Sequence, residues 1–164
     1  NLMVKKLGVP FDEYGAVARR GRINRKVLQS LLNHIYFSMQ PPKSLDRNEF
    51  DLSAIEDLSI EDAAATLVAF TTETIAQSAK YFPQLSQRWL ITGGGRHNSF
   101  MMEELSKRLG FKVMPVEDVG WNGDALEAQA FAFLAVRSLL NLPLSFPSTT
   151  GVSMELTGGD LYGL

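Results

Sequence analysis

Residues 88 to 108, RWLITGGGRHNSFMMEELSKR, constrain the fold more than any other stretch. Trp89, Leu90, Ile91 and Thr92 form a short run of strand-favouring residues that Gly93, Gly94 and Gly95 stop at once. Asn98 then supplies a helix N-cap, Met101, Met102, Leu105 and Leu109 recur at helical spacing, and Gly110 ends the pattern. Phe111 to Val116 predicts a second strand, with Pro115 marking an early end or a sheet edge. Strand, glycine loop, helix and strand in this order make the unit of an α/β fold.

Three consecutive glycines cost backbone entropy, so they belong where main chain or a ligand approaches too closely for a Cβ. The loop leads to a helix N-terminus, whose unpaired N–H groups and dipole favour an anion or an electron-rich ring edge. A nucleotide fits that description. The stretch matches neither GxxxxGK[ST] nor GxGxxG, and its spacing leaves a plain tight turn and a ligand loop equally open.

The chain has 164 residues, enough for one domain with a real core. With 45% apolar and 21% charged residues it has a globular rather than a disordered composition. The formal charge of −2, with no block of like charges, argues against a nucleic-acid surface. The densest basic cluster, Arg19, Arg20, Arg22, Arg25 and Lys26, is expected to be a solvated face. The absence of cysteine excludes disulfides and thiolate metal sites, and no motif points to a metal held by side chains. No apolar run approaches the roughly 20 residues of a membrane span. The start, NLMVKKLGVPFDEYG, lacks an initiator Met and a signal-peptide layout, so we expect the middle of a longer chain.

Along the chain, residues 1 to 23 predict a loop or hairpin leading to a helix that Asn24 caps, with Val27 or Leu28, Leu31, Leu32 and Ile35 on its apolar face. His34 among them is expected to be a satisfied interior or boundary residue rather than a ligand. Pro41 and Pro42 break that helix and open a polar loop in which Lys43 and Arg47 are suited to a carboxylate or phosphate. Ser59 and Asp62 open the longest helix, which runs to about Tyr81; its threonines Thr71, Thr72 and Thr74 have no evident function. Asp124 starts a last helix that is apolar nearly all round, with Leu126, Ala130, Phe133 and Leu140 as its expected buried stripe. Asp124 and Glu127 admit two compatible readings: a capping-box variant, or two carboxylates sharing one face toward a ligand. The tail from Pro143 predicts loops with a short strand near Val152 to Leu156.

LITGGGRHN, then NGDALEAQAFAFLA, then LPLSFPSTTGVSMELTGGDLY, with FDEYGAVARRG and PPKSLDRNEFDL upstream, together resemble the C-terminal half of the anhydro-N-acetylmuramic acid kinases. The resemblance covers nearly the whole chain. It implies the actin-like ATPase, or ribonuclease H-like, fold: a mixed sheet flanked by helices, forming one of two domains that close around ATP. It implies that residues 1–164 are the C-terminal domain and that an N-terminal domain is missing. It also implies a cytoplasmic enzyme that uses ATP and Mg²⁺ to convert 1,6-anhydro-N-acetylmuramic acid into N-acetylmuramic acid 6-phosphate, with a homodimer possible and neither nucleic acid nor membrane as partner.

By the same resemblance Gly93, Gly94 and Gly95 match the nucleotide-binding turn, with Arg96, His97 and Asn98 as neighbours. Glu127 matches a carboxylate that binds the substrate and orients it or its attacking water, beside Asp124, and Lys43 and Arg47 remain substrate-binding candidates. The family usually has an aspartate at Asn122 and a Thr-Gly pair at Leu45 and Asp46. No stretch matches the family's first phosphate loop, its metal-linked residues or its general base, so the chain alone is expected to be inactive. The reading requires Gly94 and Glu127 to face a common cavity. The alternatives are a non-catalytic nucleotide- or sugar-binding module and, more remotely, a dinucleotide oxidoreductase fragment.

Overall fold

The computed structural model describes residues 2–84 and 86–163. Helices α1 (Leu2–Leu7), α2 (Ala16–Arg20) and α3 (Arg25–Leu32) are followed by the short α4 (Ser53–Glu56) and the long α5 (Ile60–Ser78). Strand β1 (Arg88–Ile91), helix α6 (Ser99–Leu109) and strand β2 (Lys112–Pro115) form the α/β unit, and α7 (Leu126–Leu139) and α8 (Pro147–Thr150) complete the chain.

Helix α5 is the spine. Ser59 Oγ accepts the Asp62 N–H at 3.1 Å to cap it, and four successive residues, Ala63 to Thr66, are buried, so its first half is enclosed on all sides. Small side chains there let α2, α3 and α6 approach it closely. One cluster joins Met3, Ala18 and Ala64 with Phe100 of α6; the other joins Leu31, Ile55 and Ala63 with Phe70. Threonines in α5 stay satisfied by turning their hydroxyls onto the helix: Thr72 Oγ1 donates to Val68 O at 2.8 Å, and Thr66 Oγ1 donates to Asp62 O while accepting Asn24 N–H.

The stretch before Asn24, expected to be a loop or hairpin, carries α1 and α2 and, among its described residues, no strand. Both carboxylate oxygens of Asp12 accept backbone N–H groups, from Val17 at 2.8 Å and Ala18 at 2.9 Å, which fixes the start of α2 instead of a strand. Asn24 caps α3 as expected, accepting Val27 N–H at 3.1 Å, but α3 ends at Leu32 and leaves Ile35 exposed. His34 Nδ1 accepts Tyr36 N–H at 3.2 Å, the satisfied boundary role expected of it. Arg19, from the basic cluster, is drawn into a two-point pair with Glu103 of α6 at 2.7 and 2.9 Å.

β1 and β2 pair in parallel, with Trp89 opposite Val113 and Ile91 opposite Pro115. The connection through α6 is what a parallel pair requires. In the tail, only an isolated antiparallel bridge between Ser145 and Leu156 stands near the expected strand. The stripe expected to be buried on α7 is not buried within this chain: no residue of α7 is, and Phe133 and Leu140 are exposed.

Candidate functional site

The glycine loop opens where β1 ends. Gly93 has φ 71° and ψ −179°, a region essentially reserved for glycine, and the chain then makes a tight turn from Gly94 to His97. A Cβ built on Gly94 would meet nothing within 4 Å, so this part of the loop faces open space. Asn98 Oδ1 accepts Met101 N–H at 2.9 Å and caps α6. His97 is exposed.

Arg96 does something different from its neighbours. Its side chain is 3% exposed, and each guanidinium nitrogen has a partner. Nε donates to Glu117 Oε1 at 2.9 Å, Nη1 to Gly93 O at 2.9 Å and Nη2 to Asp124 Oδ1 at 2.7 Å. Glu117 Oε1 also accepts Gly123 N–H at 3.0 Å, and Thr92 Oγ1 donates to Gly123 O at 3.1 Å. A Cβ on Gly123 would stand 2.5 Å from Arg96 Nε, so only glycine admits the guanidinium here. One buried cation thus ties the glycine loop to the entry of α7.

The Asp124 hydrogen bond first, and Glu117 after it, hold the guanidinium above its already high ordinary pKa against desolvation. The Glu117 carboxyl lies below the ordinary glutamate value, chiefly through a hydrogen bond with its own backbone and further through Gly123 and Arg96.

Asp124 and Glu127 do not form the capping box. The turn into α7 is capped by Asn122, whose Oδ1 accepts the N–H groups of Asp124 at 3.0 Å and Ala125 at 3.2 Å. Asp124 is free to reach Arg96 because Asn122 takes the cap, although its side chain remains 80% exposed. Glu127 sits on the first turn of α7 and is exposed. The capping role of Asn122 is legible in hindsight, since asparagine favours such turns, whereas the Arg96 network joins residues up to 28 positions apart and has no local signal.

Lys43 lies elsewhere. It lines a cavity of about 680 Å³ walled by Tyr36, Phe37, Phe50, Phe70 and Tyr81, and none of residues 93–98, Asp124 or Glu127 lines it. Its ammonium donates to Tyr36 O at 2.7 Å and sits 4.5 Å from the Tyr36 ring centroid and 5.0 Å from that of Tyr81. The structure therefore does not join Lys43 to the two carboxylates; the Pro41–Pro42 loop packs it against the end of α5 instead. The side chain of Arg47 lies outside the described residues. The loop and the α7 entry are brought together through Arg96, not through this cavity.

Among the described residues, no group of three or more His, Cys, Asp or Glu stands where it would hold a metal. Asp124 and Glu117 both pair with Arg96. No described helix is long and apolar enough to cross a membrane.

A family profile described as "Anhydro-N-acetylmuramic acid kinase" matches residues 1–163. A protein of that name from Rhodospirillum rubrum is 54% identical over 160 residues, covering 98% of this chain and 43% of that protein. One from Paramagnetospirillum magneticum is 53% identical over 155 residues (93% and 44%), and one from Zymomonas mobilis is 46% identical over 157 (96% and 43%). These matches place the chain among the kinases. Within that class, the chain belongs to the anhydro-N-acetylmuramic acid kinase family. It spans less than half the length of the curated relatives it matches.

Proposed function

We propose that this chain is the C-terminal, nucleotide- and sugar-contacting part of an ATP-dependent kinase that opens the anhydro bridge of 1,6-anhydro-N-acetylmuramic acid with water and phosphorylates the sugar to N-acetylmuramic acid 6-phosphate. In this reading residues 1–164 are one domain of an actin-like ATPase fold. The observation that carries it is the family match over residues 1–163 in a chain whose glycine loop is locked by Arg96 to the helix bearing Glu127.

The proposed division of labour is consistent with that geometry. Gly93 to Gly95 and the first turn of α6 present main chain without side chains to the nucleotide. Arg96 fixes the loop relative to the entry of α7, with three of its N–H donors engaged there. Glu127, with Asp124 beside it, orients the sugar or the attacking water. Phosphoryl transfer mainly needs positioning and charge neutralisation, and Mg²⁺ would supply the latter. The general base comes from the remainder of the longer protein, so the isolated chain does not turn over.

Calorimetric titration of the 164-residue chain with ATP and with the anhydro sugar tests the binding roles. A fusion restoring the portion of the Rhodospirillum rubrum relative outside the matched stretch tests the catalytic one. ATP binding by the chain, with sugar phosphorylation only by the fusion, is the expected result. Tight sugar binding by the chain with no turnover by the fusion would favour a sensing module.

A further inference from the structure

Lys43 stands in a cavity that neither the glycine loop nor the entry of α7 lines. At about 680 Å³ it has the size of a small-molecule site, and it lies between the stretch joining α3 to α4, the second half of α5 and α8. Its walls are aromatic. Tyr36, Phe37 and Phe50 come from the joining stretch, and Phe70 and Tyr81 from α5 and the turn that ends it. Phe37 stacks on Phe50 with ring centroids 5.9 Å apart, and Phe50 meets Phe70 edge-on at 5.2 Å. These rings hold one another, so the wall is formed without a ligand.

The charge in the cavity has one sign. Lys43 and Lys80 line it and no Asp or Glu does, although the chain as a whole carries a formal charge of −2. Among the described residues neither lysine has an ion-pair partner. The half-buried Lys43 donates one N–H to Tyr36 O at 2.7 Å, and its ammonium lies 4.5 Å from the Tyr36 ring centroid and 5.0 Å from that of Tyr81. The Lys80 ammonium lies 4.8 Å from the same Tyr81 ring. Ring faces offset part of the cost of holding a cation away from water, but an ammonium has three donors, and a carbonyl takes only one of those on Lys43.

We infer that this cavity is a second ligand site, which takes a small flat aromatic carboxylate: the ring lies against the aromatic wall and the carboxylate pairs with Lys43, with Lys80 adding attraction from the rim. A single ammonium matches the single charge of a carboxylate. A phosphate ester favours an arginine fork, and no arginine lines the cavity. The site stands whether or not the kinase reading does, because it uses none of the residues assigned to ATP or to the sugar.

Calorimetric titration of the 164-residue chain with 2-naphthoate tests the site. One molecule should bind with a Kd below about 1 mM, and 2-naphthamide, the same ring without the charge, at least about tenfold more weakly. Raising the salt concentration should weaken the naphthoate and leave the naphthamide unaffected. Lys43→Met should lower naphthoate affinity at least about tenfold while changing naphthamide affinity less than about twofold. Lys80→Met, at an exposed position, should lower naphthoate affinity about two- to threefold and serves if Lys43→Met does not fold. Equal affinities for the two probes, or naphthoate binding that neither substitution alters, overturns the site. Displacement of naphthoate by ATP or by the anhydro sugar also overturns it, since the cavity would then belong to the substrates of the kinase. So does binding by the chain but not by the fusion described above, since the additional polypeptide would then fill the cavity.

Discussion

Arg96 Nη2 lies 2.7 Å from Asp124 Oδ1, and this pair joins a guanidinium 3% exposed to a carboxylate 80% exposed. The asymmetry decides what each substitution should do. Asp124→Ala removes one partner that water readily replaces. Arg96→Ala strips the partner from Asp124, Glu117 and Gly93 O together and opens a hole beside Gly123. Thermal melts should therefore show a drop of several degrees for Arg96→Ala and a clearly smaller one for Asp124→Ala. In the double variant the losses should be less than additive, since the carboxylate has lost its partner already. Additive losses would mean that the pair contributes no coupling.

Gly93 and Gly94 separate backbone strain from ligand contact. Gly93→Ala forces a side chain into φ 71°, ψ −179° and should cost about 1–3 kcal/mol whether or not a ligand binds. Gly94→Ala meets open space and should leave the melting temperature unchanged. If the nucleotide lies on this loop, however, the methyl group occupies its seat, and ATP affinity measured by calorimetry should fall about tenfold, or 1.4 kcal/mol. Unaltered ATP affinity in Gly94→Ala would reduce the triple glycine to a turn.

Acid should weaken the fold through Glu117, Glu103 and Glu104, all held below the ordinary glutamate value. The first cause for Glu117 is the hydrogen bond with its own backbone, for Glu103 the Arg19 bond and for Glu104 the Lys107 bond. A carboxyl with a lowered folded pKa stabilises the fold above its unfolded value of about 4.3, and that contribution is lost as pH falls through the folded value. Melting temperature should thus be level near neutrality and fall below about pH 4, with a shallower fall in Glu117→Gln. Superimposable pH profiles for the wild-type chain and Glu117→Gln would remove Glu117 from this account.

The α/β unit was legible because its signals are local. Asn98 capping α6, Gly110 ending it at φ 69° and Pro115 closing β2 all act within a turn of where they stand in the sequence. Asp12 misled the reading of the first 23 residues, since nothing in Tyr14 to Arg19 announces that one carboxylate will gather two N–H groups and wind α2. The burial expected on α7 followed from its composition, but burial is a property of neighbours, and the described chain leaves Phe131 and Phe133 exposed. At the site the residue types pointed to the loop and the acidic helix start. What they concealed was Arg96 turning inward, and Lys43 lying against Tyr36 in a cavity that the loop does not line.

Glu127 and Asn122 should divide the roles that a capping box would have merged. Asn122 Oδ1 holds two N–H groups at the entry to α7, so Asn122→Ala should cost about 0.5–2 kcal/mol of stability, the usual loss for a removed cap. Glu127 is exposed and the cap belongs to Asn122, so Glu127→Ala should stay within about 0.5 kcal/mol of the parent. Activity should follow the opposite order. In the fusion that adds the part of the Rhodospirillum rubrum relative outside the matched stretch, Glu127→Ala should reduce turnover at saturating ATP by at least about a hundredfold, the scale of a lost positioning or acid–base group. Asn122→Ala should change turnover far less, because the carboxylate remains on the same turn. Denaturant melts and steady-state rates on the same two variants decide the matter. Full activity in Glu127→Ala would mean that the sugar and its attacking water are oriented by groups outside this chain.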